Sequence, residues 1–169
     1  MLMPYSTYPL GGFLDIDSED EEVDLAKIRS TATTSVPNSG ADTVIAMTTQ
    51  EFQKGSTVQA NPSSNNISVT VAGYYEITWG VHWDNFASGG ATDLLVCKPT
   101  INGVATLSGS PLNATLHKII GGTGNDASGK TLHLQLAAGS VIGLVGSQQT
   151  NTANVAVAAY LTVVKLATT

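Results

Sequence analysis

Chemistry in this chain would have to come from three histidines, one cysteine and a pair of loop carboxylates. His82, His117 and His133 fall on separate β-like runs, with no H-E-x-x-H or comparable spacing between them. A zinc site needs three or four converging ligands, and Cys97 is the single thiol. The imidazoles therefore read as solvent-facing strand residues, and no metal is expected. Asp84 and Asp93 flank the loop that contains Gly89-Gly90 and read as ordinary loop acids. No G-x-S-x-G elbow exists to raise a nucleophilic serine. Gly121-Gly122-Thr123-Gly124 follows a strand but opens no helix, so it lacks the dipole and amides of a phosphate cradle. Asn66-Ile67-Ser68 and Asn113-Ala114-Thr115 fit the glycosylation pattern, but with no secretion leader they read as chance matches. The expectation is a protein with no catalytic residue and no cofactor, not an enzyme.

The composition describes what holds these residues. In 169 residues, 12% are charged and 42% hydrophobic, a balance that favours strands and turns over long solvated helices. One cysteine excludes an intrachain disulfide framework. No apolar window is long enough to span a bilayer, so no membrane is expected. A net charge of −6 opposes binding to a nucleic-acid backbone.

Strand signals run through residues 41–169. Tyr75, Ile77, Trp79, Val81 and Trp83 alternate with Glu76, Thr78, Gly80 and His82, a period of two that sets one face against a core. Shorter alternations occur at Ile67–Val71 and Leu132–Leu136. Asn102-Gly103 and Ala138-Gly139 sit where tight turns belong, and Gly121–Gly129 reads as a looser loop. Strands are expected at about 43–48, 56–60, 66–72, 74–84, 93–101, 114–120, 130–137, 140–146 and 154–166. So many short strands predict a sandwich or jelly roll. The only helix expected is a short one near Glu21–Ile28.

The charge is unevenly placed. Residues 1–29 hold seven acids and two bases, residues 30–169 six acids and five bases. Ahead of the acids lie Pro4, Tyr5, Tyr8, Pro9, Gly11, Gly12 and Phe13, where proline and glycine oppose a helix and the aromatics offer anchors. The segment 30–40 is small and polar, like a linker. The division read from these features is an acidic N-terminal docking arm over 1–29, a linker over 30–40 and a jelly-roll domain over 41–169. Extended, the arm would reach roughly 95–100 Å.

Two runs break the alternation. Val141–Val145 and Val155–Val164 are apolar on both faces, so each needs a second covering surface. The cover is either the chain's own loops crowding a small central strand or other copies of the chain; a nearly neutral surface rich in glycine and alanine costs little to desolvate, which favours other copies.

Four segments, in order, resemble the C1q/TNF-like jelly-roll family over roughly residues 41–166. Gly73-Tyr74-Tyr75-Glu76-Ile77-Thr78-Trp79 is similar to the G-x-Y-x-I/F-x opening of its third main strand. Asp93–Val104, closing on Asn102-Gly103, resembles its next strand, and Leu132–Ile142 resembles its L-x-L-x-x-G-D-x-V hairpin. The run 154–166 stands where the family places its last, central strand. Ala158-Ala159-Tyr160-Leu161 replaces F-x-G-x-L, and Ser140 replaces the usual Asp of the hairpin, so a calcium site that depends on that acid is not expected. The resemblance implies an all-β, antiparallel two-sheet sandwich assembled as a homotrimer through the sheet of the first, third, sixth and last strands. The interface residues expected to face away from the core are Thr78, His82, Ile142, Leu144, Ala158, Tyr160, Thr162 and Val164.

Within that family the chain is most like bacteriophage capsid decoration (cement) proteins or fibre heads. The expected function is a structural virion protein on the capsid exterior, a trimer whose arms clamp the major capsid protein. Tyr5, Tyr8, Phe13, Asp15, Asp17, Glu19, Asp20, Glu21, Glu22 and Asp24 would make the shell contacts. The alternative is a fibre-head module for a receptor or glycan, in which Trp83 and Phe86 stack on a sugar. No repetitive shaft precedes the domain, which favours cement.

Overall fold

The alternation around Trp79 sets up the longest strands of the molecule. The computed structural model describes residues 23–86, 93–105, 116–120, 124–149 and 154–169. One sheet runs in the order β11 (Gly124–Leu136), β7 (Gly73–Phe86), β13 (Val155–Thr168), β1 (Leu25–Arg29) and β4 (Thr49–Lys54), with β2 (Thr34–Val36) also pairing β13. The other runs β10 (Leu116–Ile120), β8 (Asp93–Ile101), β12 (Val141–Gln149), β6 (Asn66–Val69) and β5 (Val58–Asn61). Two short strands complete it, β3 (Thr43–Val44) on β12 and β9 (Val104–Ala105) on β8. Every pairing is antiparallel. This is the all-β, antiparallel two-sheet jelly-roll sandwich expected of the sequence.

The core is the set of residues on the two facing surfaces. Tyr75, Ile77, Trp79, Val81 and Trp83 of β7 meet Ile67, Cys97, Ile142 and Leu144 of the opposite sheet in one buried cluster. Val157, Leu161 and Val163 fill it from β13, and Ala26 and Ile28 from β1. Asn102-Gly103 forms the tight turn expected of it: both residues have positive φ, 53° and 77°, as a primed turn between β8 and β9 requires.

The boundary between arm and domain moves. Residues 25–29 are a strand inside the sheet, between β13 and β4, not the end of a docking arm and not part of a helix. The pattern was there to be seen: Ala26 and Ile28 point inward while Leu25, Lys27 and Arg29 point outward, a period of two that Lys27 and Arg29 disguise as a charged helical face. Residues 30–40 are likewise built in. Ser30 exchanges bonds with Ala159, its N–H donating to Ala159 O (2.8 Å) and its Oγ accepting from Ala159 N (3.0 Å). Val36 is buried, and its carbonyl accepts from the side-chain amide of Gln148. The small polar residues of this segment therefore pay off as hydrogen-bonding groups on a strand edge. Its lack of large apolar residues gave no other sign of burial.

Two further expectations change. Gly124–Gly129, read as loop, opens β11 and pairs with β7 as far as Phe86. The turn around Gly139 (φ 84°) links β11 to β12 across the two sheets and closes no hairpin.

Candidate subunit-contact face

The face of the β11-β7-β13-β1-β4 sheet that points away from the core is organised as rows of paired residues. One row reads Phe52, Lys27, Thr162, Thr78, Thr131 from β4 to β11. The next reads Thr49, Arg29, Tyr160, Gly80, Gly129. On the other side of the threonine row lie Lys54, Leu25, Val164, Glu76 and His133. Across β13, β7 and β11 the first two rows are uncharged, made of hydroxyls, glycine and one aromatic ring, with Lys27 and Arg29 beside them on β1.

Tyr160 dominates the centre. A Cβ at Gly80 would collide with its ring, and one at Gly129 would lie 3.3 Å from its hydroxyl, so glycine on β7 and on β11 beyond it lets the ring lie across the two strands to one side of β13. Tyr160 is 38% exposed, and Lys27 Nζ stands 5.4 Å from its ring centroid, within cation–π range. Beside it Arg29, Ser30, His82 and Ala158 border a shallow hollow of about 470 Å³. Thr78 and Thr131 share a hydroxyl hydrogen bond of 2.9 Å across β7 and β11.

Charge lies at the two margins. Lys27 Nζ and Arg29 Nε share one carboxylate, Glu51, at 2.7 and 3.3 Å. The hydrogen bond from Lys27 holds the Glu51 carboxyl below its ordinary range against a smaller opposing desolvation, with the charges of Lys27 and Arg29 adding to it. At the far margin His133 Nε2 lies 3.0 Å from Glu76 Oε2.

Six of the eight residues expected at an interface share this face: Thr78, His82, Ala158, Tyr160, Thr162 and Val164. Ile142 and Leu144 do not. They belong to β12 in the opposite sheet and point into the core, where they are 0% and 1% exposed. The strand that lies beyond β7 in this sheet is β11, whose Gly129 and Thr131 were missed. In a strand apolar on both faces nothing in the sequence says which face is inward, and counting strands from a resemblance placed β12 in the wrong sheet.

Asp24, expected among the shell-docking acids, is committed within the chain. Its Oδ1 accepts from the backbone N–H of Ser56 (2.8 Å) and of Thr57 (3.2 Å), and its Oδ2 accepts from the Thr57 hydroxyl. Desolvation pushes its carboxyl upward, but these bonds together with the charge of Lys165 outweigh it and hold the group below its ordinary 3.8. Gly55 (φ 77°) turns the chain so tightly around this carboxylate that a side chain there would collide with it. The other nine residues assigned to the arm, Tyr5, Tyr8, Phe13, Asp15, Asp17, Glu19, Asp20, Glu21 and Glu22, lie outside the described residues. Residues 1–22 carry six acids and no base, while residues 23–169 carry seven of each.

The glycan alternative loses its principal residue. Trp83 is 1% exposed and packs in the core, so it presents no ring to a sugar. The side chain of Phe86 lies outside the described residues. Cys97 is buried, and burial pushes its thiol up to about 12, which leaves it unreactive at neutral pH. Among the described residues no group of three histidines, cysteines or acids is placed to hold a metal ion.

Comparison with solved structures defines the class. An Eiger TNF from S. frugiperda superposes with a TM-score of 0.56 at 10% identity, covering 88% of this chain and 95% of that one. The globular domain of a zebrafish complement 1qA protein gives 0.60 at 9% identity, covering 86% and 98%. Murine APRIL gives 0.55 at 15% identity, covering 85% and 99%. The fold is the C1q/TNF-like jelly roll. No protein-family model matches the chain, and no curated protein sequence matches it.

Proposed function

We propose that the chain is a homotrimeric structural protein of a phage virion. The outward face of the β7–β13 sheet joins the three copies, and the acidic residues 1–22 fasten the trimer to the capsid shell. The observation that carries the reading is Tyr160, left 38% exposed by the described residues amid the small uncharged side chains of β7 and β13. Thr78, Thr162, Gly80 and Ala158 carry no charge that must be desolvated, and an aromatic ring amid small residues is the composition of an interface centre. Structural neighbours in the TNF and C1q class support the trimer as the assembly to test. The concentration of the chain's net charge in residues 1–22 supports a segment that acts apart from the neutral domain, meeting cationic groups of the major capsid protein. Three arms on one trimer would combine weak contacts through effective concentration. The role is mechanical, and no step in it requires a catalytic group.

Sedimentation equilibrium of the full chain beside its Tyr160→Asp variant tests the trimer: a trimer for the first and monomers for the second are expected. A wild-type monomer at micromolar concentration overturns the reading. Deletion of residues 1–22 tests the arm, through cosedimentation with expanded phage capsids stripped of decoration protein. The deleted trimer is expected to stay in the supernatant, and undiminished binding removes the arm from the mechanism.

A further inference from the structure

A ring of three copies cannot be built from a self-complementary patch. Each copy must offer two different surfaces, one to each neighbour, that fit each other. The outward face carries such a difference in its charge. At the β1–β4 margin, among the described side chains, Lys27, Arg29 and Lys54 stand against the single carboxylate Glu51. At the β7–β11 margin stand Glu76 and the imidazole that touches it, His133. Lys54 and Glu76 occupy the same register row, separated only by Leu25 and Val164. Three strand spacings put them about 14 Å apart.

We infer that the copies join head to tail, the cationic β1–β4 margin of one meeting the Glu76 margin of the next, with the Tyr160 centre packed between. This rests on the proposed contact between copies and adds its polarity. The arrangement fixes which half of the face meets which. It brings the carboxylate of Glu76 to a margin that holds more cations than anions, and it leaves the threonine and glycine rows to make the close approach. Facing the margins the other way would set Arg29 and Lys54 against their own counterparts, a like-charge juxtaposition that disfavours that arrangement.

Charge reversal in the full chain tests the polarity. Arg29→Glu with Lys54→Glu reverses one margin while leaving the Lys27–Glu51 pair in place, and Glu76→Lys reverses the other. Either reversal alone is expected to weaken association about tenfold or more in sedimentation equilibrium, while circular dichroism shows the fold retained. The chain carrying all three substitutions restores a complementary pair of margins and is expected to recover association to within about threefold of the wild type. A differently tagged wild type mixed with that triple variant is expected to sort into separate oligomers, because each mixed contact sets like charges together. Single reversals that leave association unchanged overturn the polarity, and so do mixed oligomers in statistical proportion or a triple variant no better than the singles. None of these results touches the trimer itself. A wild-type monomer overturns the contact first and with it the polarity. Should a reversed margin unfold the chain, the Arg29→Gln/Lys54→Gln and Glu76→Gln variants take its place, and equal association of all forms at low salt overturns the inference.

Discussion

β12 and β13 look alike in the sequence, each an apolar run on both faces, yet their outward faces are closed in different ways. On β12 the chain closes its own surface. Val145 points outward but is only 7% exposed, lying in the register between Lys98 of β8 and Val44 of β3. Lys98 Nζ reaches Asp42 Oδ2 at 2.9 Å, so an ion pair connects the elements on either side of β12. Gly143 lies under Thr100, whose Oγ1 would stand 3.0 Å from any Cβ placed there. On β13 the outward Tyr160 stays 38% exposed, with Gly80 and Thr78 low beside it on β7 and the Lys27 side chain of β1 reaching over its ring. An apolar run demands a cover, and the difference shows that the cover can come from neighbouring side chains of the same chain or can be left for another molecule.

The largest expected contrast comes from truncating one residue on each strand. Leu144→Ala removes a core side chain at the sheet interface and is expected to cost about 2–5 kcal/mol in urea unfolding. Tyr160→Ala is expected to change the unfolding of the isolated subunit by about 1 kcal/mol or less, because the ring rests on a surface and fills no cavity, while association falls sharply. Cys97 gives an independent reading. A thiol pushed up to about 12 by burial reacts only when the sandwich opens. A thiol reagent should therefore label the Leu144→Ala chain faster than wild type and the Tyr160→Ala chain at the wild-type rate. Equal labelling of the two variants would erase the distinction between the strands.

A smaller effect belongs to the point where the acidic segment meets the sandwich. Asp24 is held below its ordinary value in the folded chain, so its contribution is present at pH values above the unfolded carboxyl's and is lost as pH falls through the folded one. Asp24→Asn is expected to cost about 1–2 kcal/mol near neutral pH, discounting for partial exposure. The gap between variant and wild type should close as the pH drops below about 4. A gap that persists at low pH would mean that the amide disturbs the Gly55 turn by its shape, and the carboxylate's charge would then not be what secures it.

Much of the sandwich was legible because period-two alternation survives wherever one face is wet, as it is for Tyr75 through Trp83. The register-defining turn at Asn102-Gly103 was legible because only a primed turn needs positive φ twice in succession. The signal failed where both faces are dry or where charge sits on a strand. Ile142 and Leu144 could not be distinguished from Gly143 and Val145 as inward residues, since all four are buried. Lys27 and Arg29 made β1 look like the end of an acidic tail, although they face outward and pair with Glu51. Asp24 was counted with the acids around it because its distinguishing partners, Ser56 and Thr57, lie more than thirty residues away in sequence.

The least of the expected effects tests how β12 is closed. Lys98→Met keeps most of the aliphatic stem beside Val145 and removes the charge that pairs with Asp42. If the stem shields Val145, the variant should lose less than about 1 kcal/mol, the ordinary worth of a half-exposed ion pair. Lys98→Ala removes stem and charge together and exposes Val145, so it should lose roughly another 1 kcal/mol through apolar surface returned to water. Matching losses for the two variants would assign the closure to the ion pair alone. A larger loss for Lys98→Ala would show that β12 is kept dry by an aliphatic chain laid across it, the service that the proposed trimer assigns on β13 to a second copy.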